Sequence, residues 1–179
     1  MKSRPTENPD VLILEPNVFE DARGAFFEAY NVKNLAAVGI DCGFVQDNQS
    51  ISKRSVLRGL HYQIRQPQGK LVRVLRGEIF DVAVDCRRSS PYFGTAVHVN
   101  LSAENRKTLW IPAGFAHGFL VLSDAAEVLY KTTDFYEPKF ERTLLWNDPQ
   151  LKIPWPSTKP LLSEKDQQGF HLAHAEVFD

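Results

Sequence analysis

Turn signals break this chain at intervals of about ten residues, and the apolar segments between them are too short for helices. That is the spacing of an all-β sandwich or barrel. "VLILEP" (11–16) reads as a strand, and "DARG" (21–24) as a turn into "AFFEAYN" (25–31). "FVQDNQSIS" (44–52) and "VLRGLHYQ" (56–63) follow, and "KLVRVLRGEIFDVAVD" (70–85) reads as two strands folded at Arg76-Gly77. "TAVHVNLS" (95–102) alternates cleanly, with Val97, Val99 and Leu101 on one face and Ala96, His98 and Asn100 on the other. "KTLWIP" (107–112), "HGFLVLS" (117–123) and "AEVLYKTTDFY" (126–136) complete the series. Only "NVKNLAAVG" (31–39) predicts a helix, with Asn31 as its N-cap and Gly39 as its stop. Many short strands with few helices predict a double-sheet jelly roll.

With 179 residues, the chain is long enough for one domain, 1–179, with a sizeable core. The strands place that core at about 11–136. The segment 137–179 holds five of the eleven prolines and predicts irregular structure wrapped on the barrel rather than more sheet. A net charge of −1 offers neither a nucleic-acid footprint nor a basic face for a membrane. Two cysteines, Cys42 and Cys86, are too few for a disulfide framework and fit a reducing cytosol. No apolar run is long enough for a membrane span, and "MKSRPTENPD" has no apolar signal core. The expectation is a soluble, cytoplasmic protein.

Small β-barrels hold ligands in the interior, among inward-facing positions of several strands. The polar residues of otherwise apolar strands are therefore the candidates. His61 and Lys70 fall on successive strands, His117 opens a later one, and Tyr130 and Tyr136 share parity on what reads as one strand. A metal is the first idea for histidines in such a barrel, built from two histidines at i, i+2 and a nearby carboxylate. "HYQIRQ" has Gln63 and Arg65 instead, and His117 alone does not supply three protein ligands. No metal site is predicted. Taken singly, each candidate also has an ordinary role: His61 as a packing residue, Lys70 and Arg23 as solvated charges, the tyrosines as amphipathic packing.

Taken in order, "DARGAFFE", "FVQDNQS", "RGLHYQ", "GKLVRVLRGEIFDVAVD", "LSAENRKTLWIPAGFAHGF", "YKTTDFY" and "LSEKD" resemble the dTDP-4-dehydrorhamnose 3,5-epimerase family from about Val11 to Gly169. The resemblance implies a double-stranded β-helix (a cupin-like jelly roll), a homodimer, and no metal or cofactor. It implies a dTDP-sugar substrate, dTDP-4-dehydro-6-deoxy-D-glucose, inverted at C3 and C5. His61 matches the family's base, Asp166 the carboxylate that orients it, Tyr130 the opposed proton donor and Lys70 the cation near the C4 oxygen. Tyr136 matches the ring that stacks on thymine. Arg23, Phe26, Glu28, Gln46, Asn48, Arg58, His117, Glu141 and Lys165 match nucleotide- and sugar-contacting positions. Phe135 stands where the family often has Tyr.

The implied chemistry needs these residue types. The C3 and C5 protons flank a C4 ketone, so removing either gives an enolate without any hydride or electron carrier. Histidine suits the base role, and a carboxylate fixes its tautomer. A lysine answers the enolate oxygen. Inversion requires reprotonation from the other face, hence a second acid, and the diphosphate favours arginine's planar fork. Arg58 and His61 pose a geometric problem, because residues three apart on a regular strand point to opposite faces. Either Gly59 marks a bulge that re-aims one of them, or the site draws on both subunits. Two other readings are an epimerase acting at C3 or C5 alone, or on a related dTDP-keto-sugar, and a catalytically silent sugar-nucleotide-binding jelly roll. The second needs the arginines and the stacking ring, but not an opposed acid and base.

Overall fold

A computed structural model of the chain describes residues 1–179. Numbered in chain order, six strands form one antiparallel sheet: β1 (Lys2–Pro5), β2 (Leu12–Glu15), β10 (Thr108–Ile111), β7 (Lys70–Arg76), β12 (Ala125–Thr132) and β5 (Gln46–Lys53), in that spatial order. A second holds β13 (Glu141–Thr143), β6 (Leu57–Gln63), β11 (Phe115–Val121), β8 (Glu78–Asp85) and β9 (Ala96–Ser102). The remaining pair, β3 (Val18–Asp21) and β4 (Gly24–Phe27), is a separate hairpin. The two large sheets face each other as a double-sheet jelly roll.

Alternation along each strand builds the core between them. Val72, Val74, Leu109, Ile111 and Val128 from one sheet meet Ile79, Ala83, Val97, Leu101, Phe115, Phe119 and Val121 from the other. Fully burying each Val, Leu or Ile contributes roughly 1.5–3 kcal/mol before conformational entropy is set against it. On β8 the other parity, Phe80, Val82 and Val84, is buried too. It lies under Leu144, Leu151, Leu172 and Ala175 from the C-terminal segment. A strand covered on both faces reads as a continuous apolar run, which is why "IFDVAV" shows so little alternation. On β9, Val97 and Leu101 face the core and Val99 packs against it, as the alternation predicts.

The helix is α1 (Val32–Ala36). The Asn31 side chain accepts from the Lys33 and Asn34 amides, and Gly39 takes φ +87°. α1 delivers Leu35, with Ile40, onto Leu14 and Leu71, covering one end of the six-stranded sheet's outer face.

Three expectations change. The segment 137–179 is not free of sheet: Glu141–Thr143 pairs with β6, covering backbone that would otherwise be an open edge. Three residues are too few for alternation to register. Strand β1 likewise lies outside 11–136. The strand expected over 126–136 ends at Thr132, whose hydroxyl donates to the Asp134 carbonyl, so Tyr136 sits beyond it in a loop. No helix is long and apolar enough to cross a membrane.

Candidate active site

A cavity of about 390 Å³ opens between the sheets where polar residues replace the apolar inward parity. On β5 the inward positions are Gln46, Asn48, Ser50 and Ser52, while Asp47, Gln49, Ile51 and Lys53 face solvent. β12 contributes Tyr130 and β7 contributes Lys70 to the same wall. β6 and β11 contribute Arg58, His61, Gln63 and His117 to the wall opposite. Tyr136, Glu141, Ser163, Lys165 and Asp166 close the rim from the loop after β12 and from the C-terminal segment.

Arg58 and His61 share the cavity through a β-bulge. His117 on β11 lies opposite His61, but Phe119 lies opposite Arg58, so a two-residue step on β11 spans three residues on β6. The extra residue restores parity: Leu57, Leu60 and Tyr62 turn to the packed outer face while Arg58 and His61 both face inward. Gly59 takes φ +116°, and a Cβ there would stand 2.6 Å from the Gly118 Cα and the His117 carbonyl oxygen. Gly59→Ala is expected to cost about 2–4 kcal/mol and most of the activity, read as a fall in Tm alongside a residual-turnover assay. An alanine variant with wild-type Tm would remove the bulge argument.

Asp166 is held on the short helix α2 (Glu164–Gln167), whose N-cap Ser163 accepts from the Asp166 amide and donates to Asp166 Oδ2 at 2.7 Å. His61 Nε2 lies 2.5 Å from Asp166 Oδ1. The buried carboxylate thus takes one ring N–H and leaves Nδ1 with its lone pair. Burial opposes ionisation of Asp166, but the bonds from His61, Ser163 and the Gly59 amide outweigh it and hold its pKa below the usual carboxylate value.

Lys70 Nζ donates to the His61 carbonyl at 3.0 Å. Burial pushes the Lys70 ammonium down to about 8, against the pull of Glu141 and Asp81. Burial pushes Tyr130 up, with Arg58 opposing, so the phenol stays protonated at neutral pH. His117 Nε2 lies 2.9 Å from Asp81 Oδ2, a pair buried at the base of the cavity. Burial pushes the Asp81 carboxyl up, with His117 opposing. At the rim, Glu141 Oε2 accepts from Tyr136 at 2.7 Å and from Lys165 at 2.5 Å. The Tyr136 phenol is pushed up to about 12 by that bond.

Eleven of the fourteen residues expected at the site line this cavity: His61, Tyr130, Asp166, Lys70, Gln46, Asn48, Arg58, His117, Tyr136, Glu141 and Lys165. The other three do not. Arg23 and Phe26 belong to the β3–β4 hairpin and line a separate pocket there, with Arg23 bonded to Asp21 and Phe26 72% exposed. Glu28 accepts from Asn31 and Asn34 at the start of α1. Sequence reasoning missed Ser50, Gln63, Gln68 and Ser163 in the lining and Asp81 behind it. The period-two rule on β5 would have found Ser50 from Gln46 and Asn48. No three His, Cys, Asp or Glu side chains cluster so as to hold a metal ion.

The chain is similar to known proteins over nearly its whole length. The family model described as dTDP-4-dehydrorhamnose 3,5-epimerase matches residues 5–174. A Pseudomonas aeruginosa dTDP-4-dehydrorhamnose 3,5-epimerase is 61% identical over 180 residues, covering 99% of each chain. A Streptomyces niveus dTDP-4-dehydrorhamnose 3-epimerase is 37% identical, covering 98% of this chain and 86% of the relative. Among solved structures, the Legionella pneumophila Philadelphia 1 dTDP-6-deoxy-D-glucose-3,5-epimerase, in complex with dTDP-4-keto-L-rhamnose, superposes with a TM-score of 0.95 at 48% identity. That match covers 98% of this chain and 94% of the other.

Proposed function

We propose that this chain, which belongs to the dTDP-4-dehydrorhamnose 3,5-epimerase family, works by acid–base chemistry across its inter-sheet cavity. It is an isomerase of dTDP-L-rhamnose biosynthesis, converting dTDP-4-dehydro-6-deoxy-D-glucose to dTDP-4-dehydro-L-rhamnose by inversion at C3 and C5. The observation that carries the mechanism is that His61 and Tyr130 belong to opposite sheets and line one cavity.

His61, oriented by Asp166, removes the proton next to the C4 ketone. The electron pair moves onto the C4 oxygen as an enolate, and the Lys70 ammonium stabilises it. Tyr130 then protonates carbon from the opposite face, which inverts the centre. Water returns a proton to the Tyr130 phenolate and takes one from the imidazolium. The cycle repeats at the second carbon, with no redox step and no cofactor.

Arg58 and Lys165 answer the diphosphate, and Tyr136 supplies a face for the thymine. His117, Gln46, Asn48 and Glu141 supply further polar contacts. Arg23, Phe26 and Glu28 do not line this chain's own cavity, which suits a homodimer in which the exposed hairpin and the residue after it serve the partner's site. Light scattering should then give twice the 20.3 kDa chain mass; a monomer that turns over normally would remove that part. Two free cysteines, Cys86 buried, suit action in the cytoplasm.

The test is turnover in D₂O with deuterium located by NMR. Label at both C3 and C5 is expected, and label at one carbon alone would indicate a restricted epimerase. No label, with dTDP binding intact, would indicate a silent module. Tyr130→Phe is expected to let solvent deuterium enter while inversion falls by about 10²-fold or more, because the base still works from its own face. Wild-type inversion by that variant would overturn the acid's assignment.

A further inference from the structure

One buried side-chain polar atom of the cavity wall has no partner. The Ser50 Oγ is buried and hydrogen-bonds no protein group, although Ser50 lines the cavity. Its neighbours are engaged: Gln46 bonds Asn48, Ser52 bonds Arg58, and Ser163 bonds Asp166. A buried hydroxyl without a partner disfavours the folded state relative to alanine, so a serine here makes physical sense if something arriving with the ligand meets it.

Strand pairing locates that something. Tyr130 lies opposite Asn48 and Val128 opposite Ser50, so Ser50 is the diagonal same-face neighbour of Tyr130. Two residues further on, the Ser52 hydroxyl accepts from Arg58 Nε at 3.0 Å, which leaves the rest of the guanidinium fork free. Ser50 thus stands between the group assigned to the reacting carbons and the group assigned to the diphosphate. The part of the substrate between those points is the anomeric end of the sugar, where C2 carries a hydroxyl. A hydroxyl both donates and accepts, as serine does.

We infer that Ser50 is a specificity-determining residue whose hydroxyl hydrogen-bonds the sugar's 2-hydroxyl. The inference rests on the function proposed above. It separates substrates that carry a 2-hydroxyl from 2-deoxy substrates, since a site built to bond a hydroxyl is left with an unpaired buried group when the hydroxyl is missing.

The experiment compares kcat/KM for dTDP-4-dehydro-6-deoxyglucose and its 2-deoxy counterpart in wild type and Ser50→Ala. Wild type is expected to favour the hydroxylated sugar by about tenfold. Ser50→Ala is expected to reduce that preference to about twofold or less, with dTDP affinity unchanged and Tm unchanged or higher. A preference that survives Ser50→Ala overturns the inference and assigns the hydroxyl to a structural water. Weaker binding of dTDP itself overturns it by assigning Ser50 to the nucleotide. Wild-type protein that turns over neither sugar overturns the epimerase function and this inference together, a result distinct from either.

Discussion

His61→Asn is expected to lower kcat by about 10²–10⁴-fold while KM for the dTDP-sugar changes by only a few-fold. The asymmetry follows from the division of the site. In the proposed mechanism Arg58, Lys165 and Tyr136 hold the nucleotide and none of them depends on the imidazole, whereas proton removal is assigned no other base at the same face. Asp166 cannot substitute, because it is buried behind the ring and committed to Ser163 and the Gly59 amide. Deuterium uptake should fall in step with turnover at both carbons. A variant that exchanged at the wild-type rate would take the base role away from His61.

Lys70→Met is expected to lower kcat by about 10²–10³-fold without lowering Tm at pH 7. The two effects share one cause. Lys70 is 6% exposed, and its ammonium titrates at about 8 in the folded chain against 10.5 for an ordinary lysine. Below pH 8 the charged form is present in both states, and burying it disfavours folding by on the order of 3 kcal/mol. Between pH 8 and 10.5 the unfolded chain binds a proton that the folded chain does not, so wild-type stability from this group rises with pH. Methionine keeps the apolar stem and removes the charge, at the cost of the bond to the His61 carbonyl. Any Tm advantage of the variant at pH 7 should therefore shrink by pH 10. In wild type, kcat/KM should decline above about pH 8 as the ammonium is lost, a limb absent from the variant. A pH-independent Tm difference together with an unchanged alkaline limb would sink this assignment.

Much of this was legible in the chain because the governing patterns are local. Turn spacing announced two sheets, alternation on β9 assigned faces correctly, and Asn31 marked the start of α1, whereas the helix ends at Ala36, ahead of Gly39. The strand ends were less legible. Thr132 to Tyr136 continues to look like strand, yet it leaves the sheet where the Thr132 hydroxyl bonds Asp134 and the Tyr136 amide bonds Gln46. Glu141–Thr143 pairs in sheet by meeting a free edge that no three-residue pattern announces.

The sequence by itself determined the parity within the regular strands, and therefore that Gln46, Asn48, Ser50 and Ser52 share one face of β5. It also determined the chemistry of the side chains available. Only the tertiary structure decided that β7 and β12 set Lys70 and Tyr130 beside that face, and how the resulting wall meets the one opposite. Arg58 and His61 share the cavity because of one extra residue in the β6 register, and register is set by the partner strand, not by the strand alone. Asp166 meets His61 from 105 residues away through a C-terminal segment whose path depends on covering the apolar outer face of the five-stranded sheet. Arg23, Phe26 and Glu28 lie outside the cavity for the same reason: chain-order motifs carry residue type, and only packing assigns a position in space.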